Sequence, residues 1–231
     1  MLAGVEDHVF SSTSTYTNPL KAVEFFKKTG CDALAISYGT MHGASKGKDV
    51  KLRKEIAIAI KECMMHENLF GVLVSHGSST VPKYIVDEIN ALGGNIQNAY
   101  GISIDELKAA IPCGIGKINV DTDIRLAVTR NMKEFFKNNP SKRDSASIGG
   151  VYQLLEEKKD QFDPRAFLPP IMDTVMYGTI KDDDTAALVE VIEKGVKEAI
   201  GTLIVEFGSF GKAPLVEQIS LEEMIERYKK M

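Results

Sequence analysis

The sequence predicts an α/β fold of parallel strand–loop–helix units, and three observations carry the prediction. Short strand-like runs stand at residues 33–38, 70–75 and 116–120, the first two almost continuously apolar. A polar loop rich in Gly, Ser or Asp follows each run. Each loop then opens a stretch with helical apolar spacing. Short unbroken apolar runs are the pattern of strands buried on both faces of a parallel sheet. Parallel neighbours need a crossover, and the intervening helices supply it with a right-handed turn. Ligands in such folds sit at the carboxyl ends of the strands. The loops after Tyr38, Ser75 and Val120 are therefore where chemistry is expected.

The elements can be justified in order. Asn18 suits an N-cap, Pro19 the first helical position and Gly30 the C-terminal cap of a first helix. Residues 50–65 read as a second helix, with Leu52, Ile56, Ile58, Ala59 and Ile60 mostly on one side. Residues 82–92 read as a third. Ser103-Ile104-Asp105-Glu106 has the pattern of a capping box opening a short helix. Asp121-Thr122-Asp123 starts a long helix through Phe136. Residues 137–150 are polar and read as a surface loop, and 151–160 as a helix with a charged end. Asp163-Pro164-Arg165 is a turn. Residues 166–207 read as helical, interrupted near Tyr177-Gly178 and Asp182-Asp183-Asp184. Gly208-Ser209-Phe210-Gly211 ends that stretch, and Ser220-Leu221-Glu222-Glu223 caps a final short helix.

Composition bounds the function. The chain has 231 residues, 44% of them hydrophobic, enough for a core and too many for a disordered chain. Its 28 basic and 32 acidic side chains leave a net charge of −4, which speaks against nucleic acid and anionic membrane partners. No apolar run approaches the ~20 residues of a membrane span, and the expected location is the cytoplasm. Cys31, Cys63 and Cys113 form no CxxC pair, so neither a disulfide framework nor a Cys-type zinc site is expected.

His42-Gly43 and His76-Gly77 each stand just past one of two consecutive strands. Two neutral imidazoles converging at one sheet end make a plausible half of a zinc site, since catalytic zinc takes three protein ligands and keeps a position open. Spacing alone equally allows two independent loop histidines. His66 and His8 read as a helix-end and a polar-loop histidine. Gly77-Ser78-Ser79-Thr80 and Asn119-Val120-Asp121-Thr122 both precede helix N-termini, where free N–H groups and the dipole favour an anion. Ordinary capping by Ser and Thr is the competing explanation for each loop taken singly. Gly4-Val5-Glu6-Asp7 puts a carboxylate on a small polar loop, the setting of a general base or simply of a solvated acidic terminus.

Taken together these strings resemble the C-terminal portion of a class II, zinc-dependent fructose-1,6-bisphosphate aldolase. The residues that carry the resemblance are Gly4-Val5-Glu6-Asp7; Gly39-Thr40-Met41-His42-Gly43 with Lys46-Gly47; His76-Gly77-Ser78-Ser79; Lys117 through Asp123; and Phe162-Asp163-Pro164-Arg165. They stand in the family's order over about residues 4–213. The resemblance implies a partial (β/α)8 barrel, its last strands and helices, over residues 1–136, with a C-terminal helical extension over 137–231 packed on it. It implies a lyase that reversibly cleaves fructose 1,6-bisphosphate to dihydroxyacetone phosphate and glyceraldehyde 3-phosphate, with zinc acting as Lewis acid on the ketone. His42 and His76 match two of three zinc ligands. Gly43, Gly77 and Ser79 match the phosphate cradle, with Lys46 near a monovalent-cation site. Asn119 and Asp121 match residues that hold substrate hydroxyls, and Thr122 a phosphate-loop residue. Glu6 matches the mobile-loop carboxylate that moves a proton. Arg165 matches an arginine that reaches the far phosphate, in relatives across a subunit interface, and its forked guanidinium suits that task.

Departures from the family pattern shape the expectation. The family's first zinc histidine follows a general-acid aspartate in a Leu-Asp-His-Gly string, and no such string occurs here. A full barrel takes about 250 residues, whereas three strands alone leave open edges and a bare apolar face. The chain is thus expected to be truncated and inactive by itself. It is expected to work as a homo-oligomer or with a separate N-terminal barrel piece. Tagatose 1,6-bisphosphate cleavage and non-catalytic sugar-phosphate binding are the alternatives.

Overall fold

The computed structural model describes residues 16–41 and 50–230. The expected positions of Glu6, His42, Gly43 and Lys46 lie outside the described residues.

The first helix, α1, spans Pro19–Thr29. Asn18 accepts a hydrogen bond from Lys21 N through its side chain, Pro19 holds the first position, and Gly30 closes the helix at φ +62°. A left-handed terminal residue of this kind is where glycine carries no Cβ penalty. Strand β1 (Ala33–Ala35), β2 (Val72–Ser75) and β3 (Ile115–Ile118) form a parallel sheet in the order β1-β2-β3. Ala33, Leu34 and Ala35 pair with Val72, Leu73 and Val74. An irregularity between Leu73 and Val74 then shifts the pairing with β3. Helix α2 (Lys54–His66) joins β1 to β2, and α3 (Lys83–Ala91) and α4 (Ile104–Ala110) join β2 to β3. Helix α5 (Thr122–Asn138) leaves β3, followed by α6 (Gly149–Glu157), α7 (Met172–Tyr177), α8 (Asp183–Glu206) and α9 (Leu221–Lys229).

One face of the sheet is core. Leu34, Ile36, Tyr38, Leu73 and Ile115 are buried against Ala22, Phe26, Ala57, Ile60, Met64 and Leu107 of α1, α2 and α4. Fully burying each large apolar side chain contributes about 1.5–3 kcal/mol. The other face differs from expectation. Ala33, Ala35, Gly116 and Lys117 are exposed, so β1 and β3 are covered on one side only. Alanine and glycine tolerate either environment, and a short run rich in them reads as apolar whichever way it faces.

Three further boundaries depart from the sequence reading. Helix α2 starts at Lys54, not at residue 50, because Leu52 N donates to the Glu106 carboxylate and Arg53 N to Tyr38 O. Its buried side is Ala57, Ile60 and Met64, while Ile58 is exposed. The capping box at Ser103 is half formed: Ser103 accepts from Glu106 N. The Glu106 carboxylate turns to Leu52 N and the amines of Lys51 and Lys54 instead. Residues 137–150 hold a 3-10 turn, Pro140–Asp144, and are anchored by buried Ile148.

The C-terminal half packs on α5. Val128, Met132, Phe135 and Phe136 meet α6, residues 164–171 and Leu188 of α8. Leu126 and Ala127 meet α3 and Ala199 of α8. Gly195 allows the α5–α8 approach, since a Cβ there would sit 2.9 Å from Ala127 O. Among the described residues no helix is long and apolar enough to cross a membrane.

Candidate functional site

The carboxyl ends of β2 and β3 lie side by side, and the backbone ties their loops together. Asn119 N donates to Ser75 O at 2.8 Å and Ser78 N to Asn119 O at 3.2 Å. The turn between Ser75 and Ser78 is His76-Gly77, with Gly77 at φ +68°. Ser75 and Ser78 are fully buried, and their hydroxyls hydrogen-bond each other at 2.6 Å. The Ser75 hydroxyl also pairs with the Tyr38 phenol at 2.5 Å. Burial pushes the Tyr38 phenol up despite the Ser75 hydrogen bond, so it stays protonated at neutral pH. Thr40, two residues beyond Tyr38, has a buried hydroxyl with no hydrogen-bond partner among the described residues.

The two loops are cross-tied at the start of α5 and just ahead of α3. Ser79 Oγ accepts from Asp121 N at 3.2 Å and Thr122 N at 3.0 Å, at the start of α5. Asp123, 3% exposed, returns the contact. Its carboxylate accepts from Thr80 N at 2.9 Å, Thr80 Oγ1 at 2.6 Å and Val81 N at 2.9 Å. Val81 stands at φ +51°, a conformation a β-branched residue rarely adopts, and the two N–H groups bound to Asp123 hold it there. Gly101 closes over this junction: Ile102 N donates to Ser79 O at 3.1 Å, and a Cβ on Gly101 would come within 2.2 Å of the Thr80 carbonyl.

Charged side chains line the same end. Asn119 Oδ1 accepts from Lys117 Nζ. Asp121, largely exposed, makes no side-chain cap and pairs with Arg125 at 2.6 Å. Arg125 also binds Asp163, and Asp163 binds Arg165 at 2.6 Å. The chain Asp121–Arg125–Asp163–Arg165 thus brings the turn at residues 163–165 to the β3 loop. Burial alone would raise the Asp163 carboxyl; hydrogen bonds from Arg165 and the charge of Arg125 outweigh it and hold it below the usual range. The Arg165 side chain is 71% exposed and keeps its outer face toward solvent.

Of the residues singled out in the sequence, His76, Gly77, Ser79, Asn119, Asp121, Thr122 and Arg165 gather at this end. Thr122 is buried, and its N–H is already bound by Ser79. The sequence reading missed the hydroxyl chain from Tyr38 and the clamp made by Asp123. A Tyr and a Ser ending two apolar runs on adjacent strands were the available signal for the first. Among the described residues no three His, Cys, Asp or Glu come together to hold a metal. The described donors fit zinc in kind, through the His76 imidazole, and fall short in number.

A separate cavity of about 630 Å³ opens between α3, residues 96–104 and α8, lined by Val81, Ile85, Ile96, Ile102 and Leu203. It touches the loop junction at Thr80 to Pro82, Gly101 and Asp123, and its walls are mainly apolar.

Comparison with known proteins points to one family. The family model "Fructose-bisphosphate aldolase class-II" matches residues 1–212. Fructose-bisphosphate aldolase of Xanthobacter flavus is 33% identical over 212 residues, covering 92% of this chain and 49% of that protein. The fructose-bisphosphate aldolase of Giardia intestinalis is 35% identical over 229 residues, covering 99% and 57%. The crystal structure of fructose-bisphosphate aldolase from Campylobacter jejuni aligns with 84% of this chain and 44% of its own, at 18% identity and a TM-score of 0.49. The chain spans about half the length of the curated relatives it matches.

Proposed function

The chain belongs to the class II fructose-bisphosphate aldolase family, and on that premise we propose that it carries the sugar-phosphate side of an aldolase active site. The observation that carries this reading is the pair of cross-tied loops after β2 and β3, which put His76, Gly77, Asn119 and Asp121 at one sheet end.

In this reading the three strands are the last part of a (β/α)8 barrel, and the bare face bearing Ala33, Ala35 and Gly116 is its inner wall. Residues 1–136 are barrel and 137–231 the helical extension. The substrate is fructose 1,6-bisphosphate, cleaved reversibly to dihydroxyacetone phosphate and glyceraldehyde 3-phosphate in the cytoplasm. Gly43, Gly77, Ser79 and Thr122 receive one phosphate, with Lys46 and a monovalent cation beside them. Asn119 and Asp121 orient the hydroxyls next to the reacting carbons. Arg165 takes the far phosphate as a bidentate partner. Glu6 moves the proton on the dihydroxyacetone carbon. His42 and His76 are the zinc ligands this chain supplies, and zinc when bound polarises the substrate carbonyl.

A third histidine and the acid for the aldehyde oxygen come from elsewhere, because the Leu-Asp-His-Gly string does not occur in the sequence. The earlier strands of the barrel, on a separate polypeptide or in a longer one, supply them, and these residues alone are inactive. The phosphate loops also permit a second reading, a non-catalytic sugar-phosphate binder. The loops described do not separate fructose from tagatose 1,6-bisphosphate. Calorimetric titration of the chain with zinc and with dihydroxyacetone phosphate tests the proposal. We expect weak zinc binding that His76→Ala abolishes, and no fructose-bisphosphate cleavage. Robust cleavage by the chain alone would overturn the division of roles. Phosphate-ester binding unchanged by EDTA and by His76→Ala would favour the non-catalytic reading.

A further inference from the structure

We propose that Tyr38 is a positioning residue for the His76-Gly77 turn, acting through the hydroxyls of Ser75 and Ser78. This rests on the reading that the turn faces the ligand, and its test separates the two. The Tyr38 ring is packed in the core cluster with Leu34, Ile36 and Leu52, and the residue is 0% exposed. A phenylalanine would fill that space equally well, so packing does not call for the hydroxyl. A buried hydroxyl is costly unless bonded, and this one reaches Ser75 Oγ at 2.5 Å. Ser75 is as anomalous: it follows Leu73 on the core face of β2, where an apolar side chain is the norm. Ser75 then meets Ser78 at 2.6 Å, also fully buried.

The three hydroxyls stand where the apolar layer ends and the turn begins. Ser75 and Ser78 are the two feet of the turn. Their backbones are fixed to Asn119 of the β3 loop, and their side chains to each other and to Tyr38. Tyr38 is itself in the segment that leads toward residue 42, with Tyr38 O accepting from Arg53 N at 2.8 Å. Fixing both feet sets the backbone of His76 and Gly77, and hence the point from which the imidazole projects. Hydroxyl pairs in a low-dielectric layer hold such geometry more firmly than exposed ones.

The test uses the full chain with isotope-labelled histidine, comparing Tyr38→Phe, Ser75→Ala, the double variant, and Ser78→Ala. Melting temperature, the His76 ring signals, amide exchange at Gly77 and Ser78, and affinity for inorganic phosphate are read together. Tyr38→Phe is expected to displace the His76 signals and speed Gly77 exchange about fivefold, the factor one ordinary hydrogen bond represents. Ser75→Ala should do the same, and the double variant should add little. Ser78→Ala leaves the Tyr38–Ser75 pair and the core intact, so it reports on the turn if Tyr38→Phe folds poorly. A lower melting temperature with unmoved His76 signals and unchanged Gly77 exchange, in both Tyr38→Phe and Ser78→Ala, would overturn the proposal. A loosened turn in a chain that binds no phosphate would support the positioning role and overturn the ligand reading.

Discussion

Removing the Asp123 carboxylate should be among the most costly changes at the loop junction. In Asp123→Ala three donors lose their acceptor: Thr80 N at 2.9 Å, Thr80 Oγ1 at 2.6 Å and Val81 N at 2.9 Å. Hydrogen bonds to a charged acceptor are worth about 1.5–3 kcal/mol each. Three on one carboxylate form a single network and do not add. The loop can also relax, since Val81 at φ +51° stores about 1–3 kcal/mol of strain that the clamp maintains. The net loss is then about 3–4 kcal/mol, comparable to stripping one partner from a buried charged contact. For a chain of this size that lowers the melting temperature by roughly 6–16 °C. Asp123→Asn keeps an acceptor and the side-chain shape, and should lose about half as much. Urea denaturation of wild type and both variants, with amide exchange at Thr80 and Val81, measures it. If Asp123→Ala costs under about 1 kcal/mol and those amides keep their protection, the clamp does not hold the loops as described.

Other perturbations follow from the same geometry. Gly101→Ala puts a Cβ 2.2 Å from the Thr80 carbonyl, backbone that cannot swing aside; a loss of about 2–3 kcal/mol is expected in urea melts. Gly195→Ala, with a Cβ 2.9 Å from Ala127 O, should push α8 from α5 and lower the melting temperature, whereas Gly201→Ala, in the same helix with open space, should hold or slightly raise it. The Lys54 amine and its neighbours hold the Glu106 carboxyl, 14% exposed, at about 2 against an ordinary 4.5. A depressed carboxyl stabilises the fold above pH 4.5 and loses that contribution as pH falls toward 2. About 3 kcal/mol is at stake at neutral pH and about 2 of it is gone by pH 3. Wild type should therefore lose more urea resistance than Glu106→Gln between pH 7 and pH 3, and equal losses would contradict the pairing.

What the sequence made legible was whatever is written locally. The Asn18–Gly30 helix and the Ser220 cap rest on short-range chemistry and stand as read, while the strands read at 33–38, 70–75 and 116–120 are found shortened to Ala33–Ala35, Val72–Ser75 and Ile115–Ile118. The loops after β2 and β3 were identifiable because His-Gly and Asn-x-Asp-Thr-Asp are unusual strings. Long-range pairings were not legible. Glu106 has the spacing of a capping residue, yet its carboxylate finds Leu52 and Lys54, more than fifty residues earlier, and delays the start of α2. Ser79 and Asp123 stand near the starts of α3 and α5, but Ser79 caps α5 and Asp123 clamps the segment ahead of α3. Apolar character could not tell a one-sided strand from a two-sided one, because Ala33, Ala35 and Gly116 suit both.

The most direct test of the central claim is a titration of the nitrogen-labelled chain with dihydroxyacetone phosphate, followed amide by amide. If the two loops form one sugar-phosphate site, the amides of 76–80 and 119–123 shift together with one saturation curve. Silence of both loops would contradict the claim, and so would a response confined to the apolar cavity between α3 and α8.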